Sequence, residues 1–157
     1  MTPRLPNIFR GEVIYVTPGS GKTFCTKKYE GVIDADDLLV SAIEEISPGF
    51  RDKRANDPRL VLFKYMRYIN FNLRKMNSLY DRATELIDEN ASNGNTILLG
   101  SYRLMHLATY IFVQQNENIV RSGFRRSKET SAIDENEVAA IRYFDRYLEP
   151  ALVNFPT

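Results

Sequence analysis

The feature that most constrains this chain is the stretch VIYVTPGSGKTF, residues 13–24. A run of β-branched and aromatic residues from Glu12 to Thr17 is typical of a buried strand, and a Pro-Gly-Ser-Gly turn follows it. The next segment, KTFCTKKYEG, places two lysines and then Gly31 where a short helix is expected to end. Strand, glycine-rich turn and helix therefore predict the first β–α unit of an α/β fold.

The turn has the tail of a phosphate-binding loop of the form G-x-x-x-x-G-K-[S/T]. In such a loop, backbone N–H groups at a helix N-terminus point at the anion, the lysine reaches the terminal phosphates and the hydroxyl binds Mg²⁺. Val16 replaces the first glycine. Because the anion cradle depends on residues 18–22, we expect Val16 to strain the turn without removing the site. The residues predicted to bind the phosphates are Pro18, Gly19, Ser20, Gly21, Lys22 and Thr23.

The segments after this unit predict three more strands and several helices. GVID at 31–34, TILLGS at 96–101 and TYIFVQ at 109–114 are short apolar runs typical of buried strands. A helix is predicted from Asp36 to Ser47. Further helices are predicted over 116–126 and 134–154.

One long helix is predicted after Pro58, because its apolar residues recur in alternating steps of four and three. The positions are Leu62, Met66, Ile69, Leu73, Met76, Tyr80, Ala83 and Ile87. Strands separated by helices, with no hairpin turn, predict a three-layer α/β/α fold around a parallel sheet of about four strands. We expect a single domain over 1–157, with a helical insertion at 37–95 between the second and third strands.

Composition narrows the class of protein. The chain has 21 basic and 20 acidic side chains and a net charge of +1, so no overall field steers it toward nucleic acid or anionic lipid. Its single cysteine, Cys25, excludes an internal disulfide. No apolar run reaches the roughly 18 residues of a membrane span. We expect a cytoplasmic protein without a membrane partner, as a monomer or homodimer.

The motif PGSGKT after a buried strand resembles that of the P-loop NTPases, and later segments resemble their nucleoside and nucleotide kinase branch. ILLGSYR at 97–103 is similar to the strand and arginine turn with which adenylate kinases bind the acceptor nucleotide. VQQNENIVRSGFRR at 113–126 resembles the stretch that enters the lid of these enzymes, here predicted over 121–133. The resemblance implies a P-loop kinase-like fold, ATP and Mg²⁺ as cofactors, and a nucleotide acceptor.

The same resemblance implies roles for individual arginines. Arg121 and Arg125 are expected to stabilise the transferring phosphoryl group, and Arg126 to bind the donor nucleotide. Arg103, in the arginine turn, and Arg142, in the helix that follows the lid, are expected to contact the acceptor.

Three aspartates follow the second strand in VIDADDLL. This pattern resembles the Asp-x-Asp of shikimate and gluconate kinases and the acidic turn of polynucleotide kinases. By that likeness Asp34 would hold the metal together with Thr23, and Asp36 would orient or deprotonate the acceptor. The alternative is that Asp36 or Asp37 caps the following helix.

The nature of the acceptor stays open in the sequence. A phosphate acceptor is already anionic, and it would be bound by Arg51, Arg54 and Arg103. A hydroxyl acceptor favours Asp36 acting on a nucleoside, a sugar or the 5′-hydroxyl end of a nucleic acid. The alternative outside catalysis is a nucleotide-binding or scaffold protein that has lost turnover.

Four further side chains are expected to have lesser roles. Tyr65, Tyr68 and Phe71 lie off the apolar seam of the predicted long helix and are candidates to stack on an acceptor base. His106, the only histidine, has no Cys or His partner at metal-ligand spacing and is predicted to be structural.

Overall fold

The computed structural model describes residues 2–16, 22–50, 58–112 and 149–153. Its centre is a four-stranded sheet in the order β2-β3-β1-β4. All three strand pairings are parallel, which confirms the predicted parallel sheet. The strands are β1 (Val13–Val16), β2 (Val32–Asp34), β3 (Thr96–Leu99) and β4 (Tyr110–Phe112).

Helices connect these strands. They are α1 (Lys22–Lys28), α2 (Ala35–Ile46), α3 (Pro58–Tyr68), α4 (Leu73–Ser92) and α5 (Glu149–Val153), with 3₁₀-helices at Asn7–Phe9 and Tyr102–Leu107. None of the helices in the described ranges is both long enough and apolar enough to cross a membrane.

Both faces of the sheet are covered, which explains why all four residues of β1 are buried. Val13 and Tyr15 lie in one apolar cluster with side chains of α2, α3 and α4. Ile14 and Val16 lie in a second cluster with Cys25 of α1 and with residues of the first 3₁₀-helix and α5. Helices on both sides of a parallel sheet give the layered α/β arrangement that the sequence predicts.

The predicted long helix is wrong in one respect, because it is two helices. Asn70 and Phe71 adopt left-handed φ angles of 52° and 51°, which end α3. Asn72 then caps α4, since its side chain accepts a hydrogen bond from the backbone N–H of Lys75 at 3.1 Å. Asparagine tolerates left-handed backbone and is a strong N-cap, so NFN overrides the apolar periodicity. Leu73, expected in the seam, is exposed.

Two other expectations need correction. Val16 is fully buried as the last residue of β1 and pairs with Phe112 of β4. It therefore contributes to the core, and its φ lies outside the left-handed region. Tyr65 is buried as well, where its ring packs edge-on against Phe50, so it is not free to stack on a ligand. Tyr68 is exposed, as is Phe71.

Candidate functional site

The site lies at the carboxyl ends of β1 and β3, which are neighbours in the sheet. The connection after β1 leads to α1 on one face, whereas Leu104 in the 3₁₀-helix after β3 belongs to the cluster on the other face. Adjacent strands whose connections leave to opposite faces open a crevice between them, and ligands of open α/β sheets bind in such crevices.

Lys22 reaches into this region from the first residue of α1. Its Nζ lies 3.2 Å from Oδ2 of Asp36 and 3.7 Å from Oδ1 of Asp34. The side chains of Lys22, Asp34 and Asp36 are only 12%, 9% and 15% exposed. Three of the predicted site residues are therefore brought together as a mostly buried ion-pair cluster.

The two aspartates are placed by the end of β2 and the start of α2. Asp34 is the last residue of β2, where it pairs with Leu98 of β3. It also caps α2, because its Oδ1 accepts a hydrogen bond from the backbone N–H of Asp36 at 2.9 Å. The capping residue is thus Asp34, and Asp36 and Asp37 occupy the first turn of α2, where a negative charge suits the helix dipole.

Gly100, immediately after β3, makes room for the lysine. A Cβ at this position would lie 2.5 Å from Nζ of Lys22 and 3.0 Å from its Cε. No motif in the sequence singles out this glycine. A glycine directly behind a buried strand at the carboxyl edge is the signal that was present, since close approach to a glycine is a common reason for its use.

The charge balance of the cluster is negative. Burial raises the pKa of Asp34 to about 6, although the ammonium of Lys22 opposes the shift. Burial also raises the pKa of Asp37, and the charge of Asp36 adds to that effect. Among the described residues, Lys22 thus lies against two carboxylates, and Asp37 adds negative charge in the same helix turn as Asp36, which favours binding of a further cation at this edge of the sheet.

The donor set fits Mg²⁺ that is held mainly by phosphate oxygens and water. Mg²⁺ commonly takes one or two protein carboxylates and keeps several waters. No cluster of three or more metal-binding side chains occurs in the described ranges. At Asp34, the hydrogen bond from the Asp36 backbone and the approach of Lys22 both involve Oδ1. The described part of the site therefore offers Mg²⁺ one buried carboxylate, that of Asp34. Thr23 is the second residue of α1, and its side chain lies outside the described part.

Arg103 follows Gly100 in the chain and lies in the 3₁₀-helix Tyr102–Leu107. Its guanidinium stands over the ring of Tyr80 in α4, 5.3 Å from the ring centroid. The Tyr80 hydroxyl is hydrogen-bonded to Ser101. Burial raises the pKa of this tyrosine. Sequence reasoning placed Tyr80 in the apolar seam and missed that its polar end faces the site.

The remaining predicted site residues lie outside the described ranges. They are Pro18, Gly19, Ser20 and Gly21 of the turn, Arg51 and Arg54 of the charged loop, Arg121, Arg125 and Arg126 of the predicted lid, and Arg142. Their roles stay predictions. His106, predicted to be structural, is exposed on the 3₁₀-helix after β3.

The raised pKa of Asp34 predicts a specific pH dependence of stability. The folded protein holds this proton more tightly than the unfolded chain, so the contribution is greatest below about pH 4 and is lost as the pH rises through about 6. Asp34→Asn keeps the cap but cannot ionise. Urea unfolding measures this: between about pH 4.5 and about pH 8, we expect the free energy of unfolding of the variant to rise by about 2 kcal/mol relative to that of the natural protein.

Asp88→Asn is the matched control, because Asp88 is an exposed carboxylate of α4. We expect its difference from the natural protein to be the same at both pH values. A constant difference for Asp34→Asn as well would contradict the burial of an ionisable carboxylate at this position.

Comparison of the chain with protein-family models, with curated proteins and with solved structures gives no match. The likeness to P-loop kinases therefore rests on the sequence motifs and remains a prediction.

Proposed function

We propose that this chain is an ATP-dependent phosphotransferase that moves the γ-phosphate of ATP–Mg²⁺ to a nucleoside monophosphate or a similar nucleotide. The observation that supports this most is the position of Lys22, which follows PGSG and lies between Gly100 and two aspartates at the carboxyl edge of a parallel sheet. A lysine and backbone N–H groups at such an edge suit a polyphosphate.

In this proposal the glycine-rich turn and the ion-pair cluster bind different parts of ATP–Mg²⁺. The backbone of residues 18–23 binds the phosphates, and the Lys22 ammonium exchanges its carboxylate partners for phosphate oxygens. Asp34 and Thr23 would hold Mg²⁺, which neutralises charge on the phosphate oxygens when it is bound. The excess of carboxylates around Lys22 favours ATP with its metal over free ATP.

Transfer of the γ-phosphoryl group then requires that donor and acceptor are correctly positioned and that positive charge surrounds the moving group. An oxygen of the acceptor phosphate attacks the γ-phosphorus while the bond from that phosphorus to the β–γ bridging oxygen breaks, and ADP leaves with the electron pair. Lys22, Arg121 and Arg125 stabilise the charge of the moving group, while Arg126 binds the donor. The acceptor phosphate is bound by Arg51, Arg54, Arg103 and Arg142.

The position of Asp36 favours a second candidate, a kinase for a hydroxyl acceptor. Its carboxylate reaches the same crevice as Lys22, with 3.2 Å between Oδ2 and Nζ. A hydroxyl must lose its proton during transfer, and Asp36 would accept it. The acceptor would then be a nucleoside, a small sugar or a 5′-hydroxyl nucleic acid end.

One screen tests the proposal and separates the two acceptors. ADP formation from ATP–Mg²⁺ is measured with nucleoside monophosphates, nucleosides, small sugars and 5′-hydroxyl oligonucleotides. We expect turnover with a monophosphate and a modest effect of Asp36→Asn, with Asp88→Asn as the control. A fall of about 10²–10⁴-fold for Asp36→Asn, together with turnover of a hydroxyl acceptor, would favour the second candidate. ATP binding without turnover of any acceptor would contradict both.

A further inference from the structure

A cleft of about 390 Å³ lies between α4 and the 3₁₀-helix Tyr102–Leu107. It lies near the lysine site, because Tyr80 in its wall is hydrogen-bonded to Ser101, and the preceding residue, Gly100, lies against Lys22. This volume falls in the range of small-molecule sites, roughly 300–1,000 Å³. Its polar lining comprises Asn77, Tyr80, Asp81, Thr84, Arg103 and His106.

Arg103 is oriented in this cleft by stacking rather than by a salt bridge. Its guanidinium stands 5.3 Å over the centroid of the Tyr80 ring. Among the described residues it forms no ion pair, so its N–H donors are available to an anion. A planar guanidinium that is already held by a ring loses less freedom when it binds a phosphate in a bidentate manner.

The hydroxyl and the ring of Tyr80 make separate contacts. Its hydroxyl is hydrogen-bonded to Ser101, the residue after Gly100. Its ring carries the Arg103 guanidinium, 5.3 Å from the ring centroid. The hydroxyl therefore connects α4 to the segment that follows β3, whereas the ring is the part of the side chain that supports Arg103.

The charges around the cleft select for a particular kind of ligand. Arg103 suits a phosphate, whereas the carboxylate of Asp81 is a hydrogen-bond acceptor and disfavours a second anionic group beside it. The Asn77 amide offers both donors and an acceptor. A molecule with one anionic end and one neutral end with donors fits this lining better than inorganic phosphate does.

We propose that Tyr80 is a positioning residue, which holds Arg103 so that its guanidinium binds the phosphate of a nucleoside monophosphate lodged in this cleft. The inference rests on the proposed function, since it gives the acceptor of that reaction a place and assigns Tyr80 a role in holding it.

Binding in the absence of ATP and metal tests the proposal, and His106 supplies the signal. It lines the cleft and is the only histidine in the chain, so its ring resonances report on the cleft alone. We expect nucleoside monophosphates to shift these resonances with saturation, and the matching nucleosides to bind about 10–100-fold more weakly. Equal binding of nucleosides and monophosphates, or no shift with either, would overturn the proposal.

Variants of Tyr80 separate positioning from simple packing. Tyr80→Phe keeps the ring, so we expect its affinity for the monophosphate to stay within about threefold. Tyr80→Leu and Arg103→Met should each weaken binding by about 10–100-fold, and the double variant should bind no worse than Arg103→Met. Additive losses in the double variant would overturn the positioning role. Arg74→Met, an exposed arginine of α4, is the control.

The cleft proposal and the proposed function can be overturned separately. Monophosphate binding that depends on Arg103 supports the cleft even where ATP is not turned over. Turnover of a hydroxyl acceptor without any response of His106 overturns the cleft and leaves phosphotransfer standing. In turnover assays, Tyr80→Leu should raise KM for the monophosphate while KM for ATP stays unchanged, and a rise in both would contradict a role limited to the acceptor.

Discussion

Replacing Lys22 with methionine is expected to lower turnover of ATP by about 10²–10³-fold or more. In the proposed reaction the Lys22 ammonium stabilises the charge of the transferring phosphate, and loss of one such group costs about that much in other enzymes. Methionine keeps the length and apolar stem of the side chain. The measurement is kcat with saturating ATP–Mg²⁺ and the best acceptor of the screen.

The same change should destabilise the protein in a pH-dependent way. Without the lysine, Asp34 and Asp36 face each other as mostly buried carboxylates, and breaking a buried pair costs about 3–5 kcal/mol. The cost should shrink toward about pH 5, where Asp34 takes up a proton. Urea unfolding at two pH values measures it.

Lys27→Met is the matched control for this variant, because Lys27 lies exposed in the last turn of α1. We expect it to change neither turnover nor unfolding. If Lys22→Met behaves like Lys27→Met, then Lys22 is a surface lysine of no consequence and the phosphotransferase proposal fails.

Gly100→Ala is expected to lower turnover by about 10²-fold with little loss of stability. Its Cβ would lie 2.5 Å from the Lys22 ammonium, which must move away. The clash involves the end of a flexible side chain, so the fold accommodates it, whereas misplacing a catalytic group by about 1 Å costs about that much in rate. Parallel measurements of kcat and of the urea midpoint reveal this split.

Two comparisons sharpen the test of Gly100. Gly49→Ala is the control, since no atom lies within 4 Å of a Cβ at that position. In a Lys22→Met background, Gly100→Ala should cause little further loss, because its effect passes through the lysine. A large fall in stability for Gly100→Ala, or an undiminished effect in the double variant, would contradict this route.

The strands were predictable because each is a short apolar run with a turn signal at its end. VIYV and TILL, the two central strands, are fully buried between helices, and burial on both faces requires continuous apolar sequence. VID and YIF lie at the edges of the sheet and are only partly buried, and Ile111 is exposed. The break between α3 and α4 was not predicted, since the apolar spacing continues across it. Two left-handed residues and the cap at Asn72 decide that boundary, and such local backbone preferences are weak signals beside a long seam.

The site was predicted where residues share a motif and missed where they meet only in the fold. Lys22, Asp34 and Asp36 follow strands whose carboxyl ends lie at one edge of a parallel sheet, so their proximity follows from the topology. Gly100 is important because of the Lys22 side chain, which is distant in the sequence and close only in the fold. Tyr80 fits an apolar helical period, and only the packing of α4 shows that its hydroxyl meets Ser101.

Titration calorimetry with Mg²⁺ and a non-hydrolysable ATP analogue tests most directly whether Lys22 and the preceding turn hold a nucleotide. We expect saturable binding at one site, weakened about tenfold or more by Lys22→Met and unchanged by Lys27→Met. Absence of binding at millimolar analogue, or equal affinity in the natural protein and Lys22→Met, would contradict a phosphate site at this edge of the sheet.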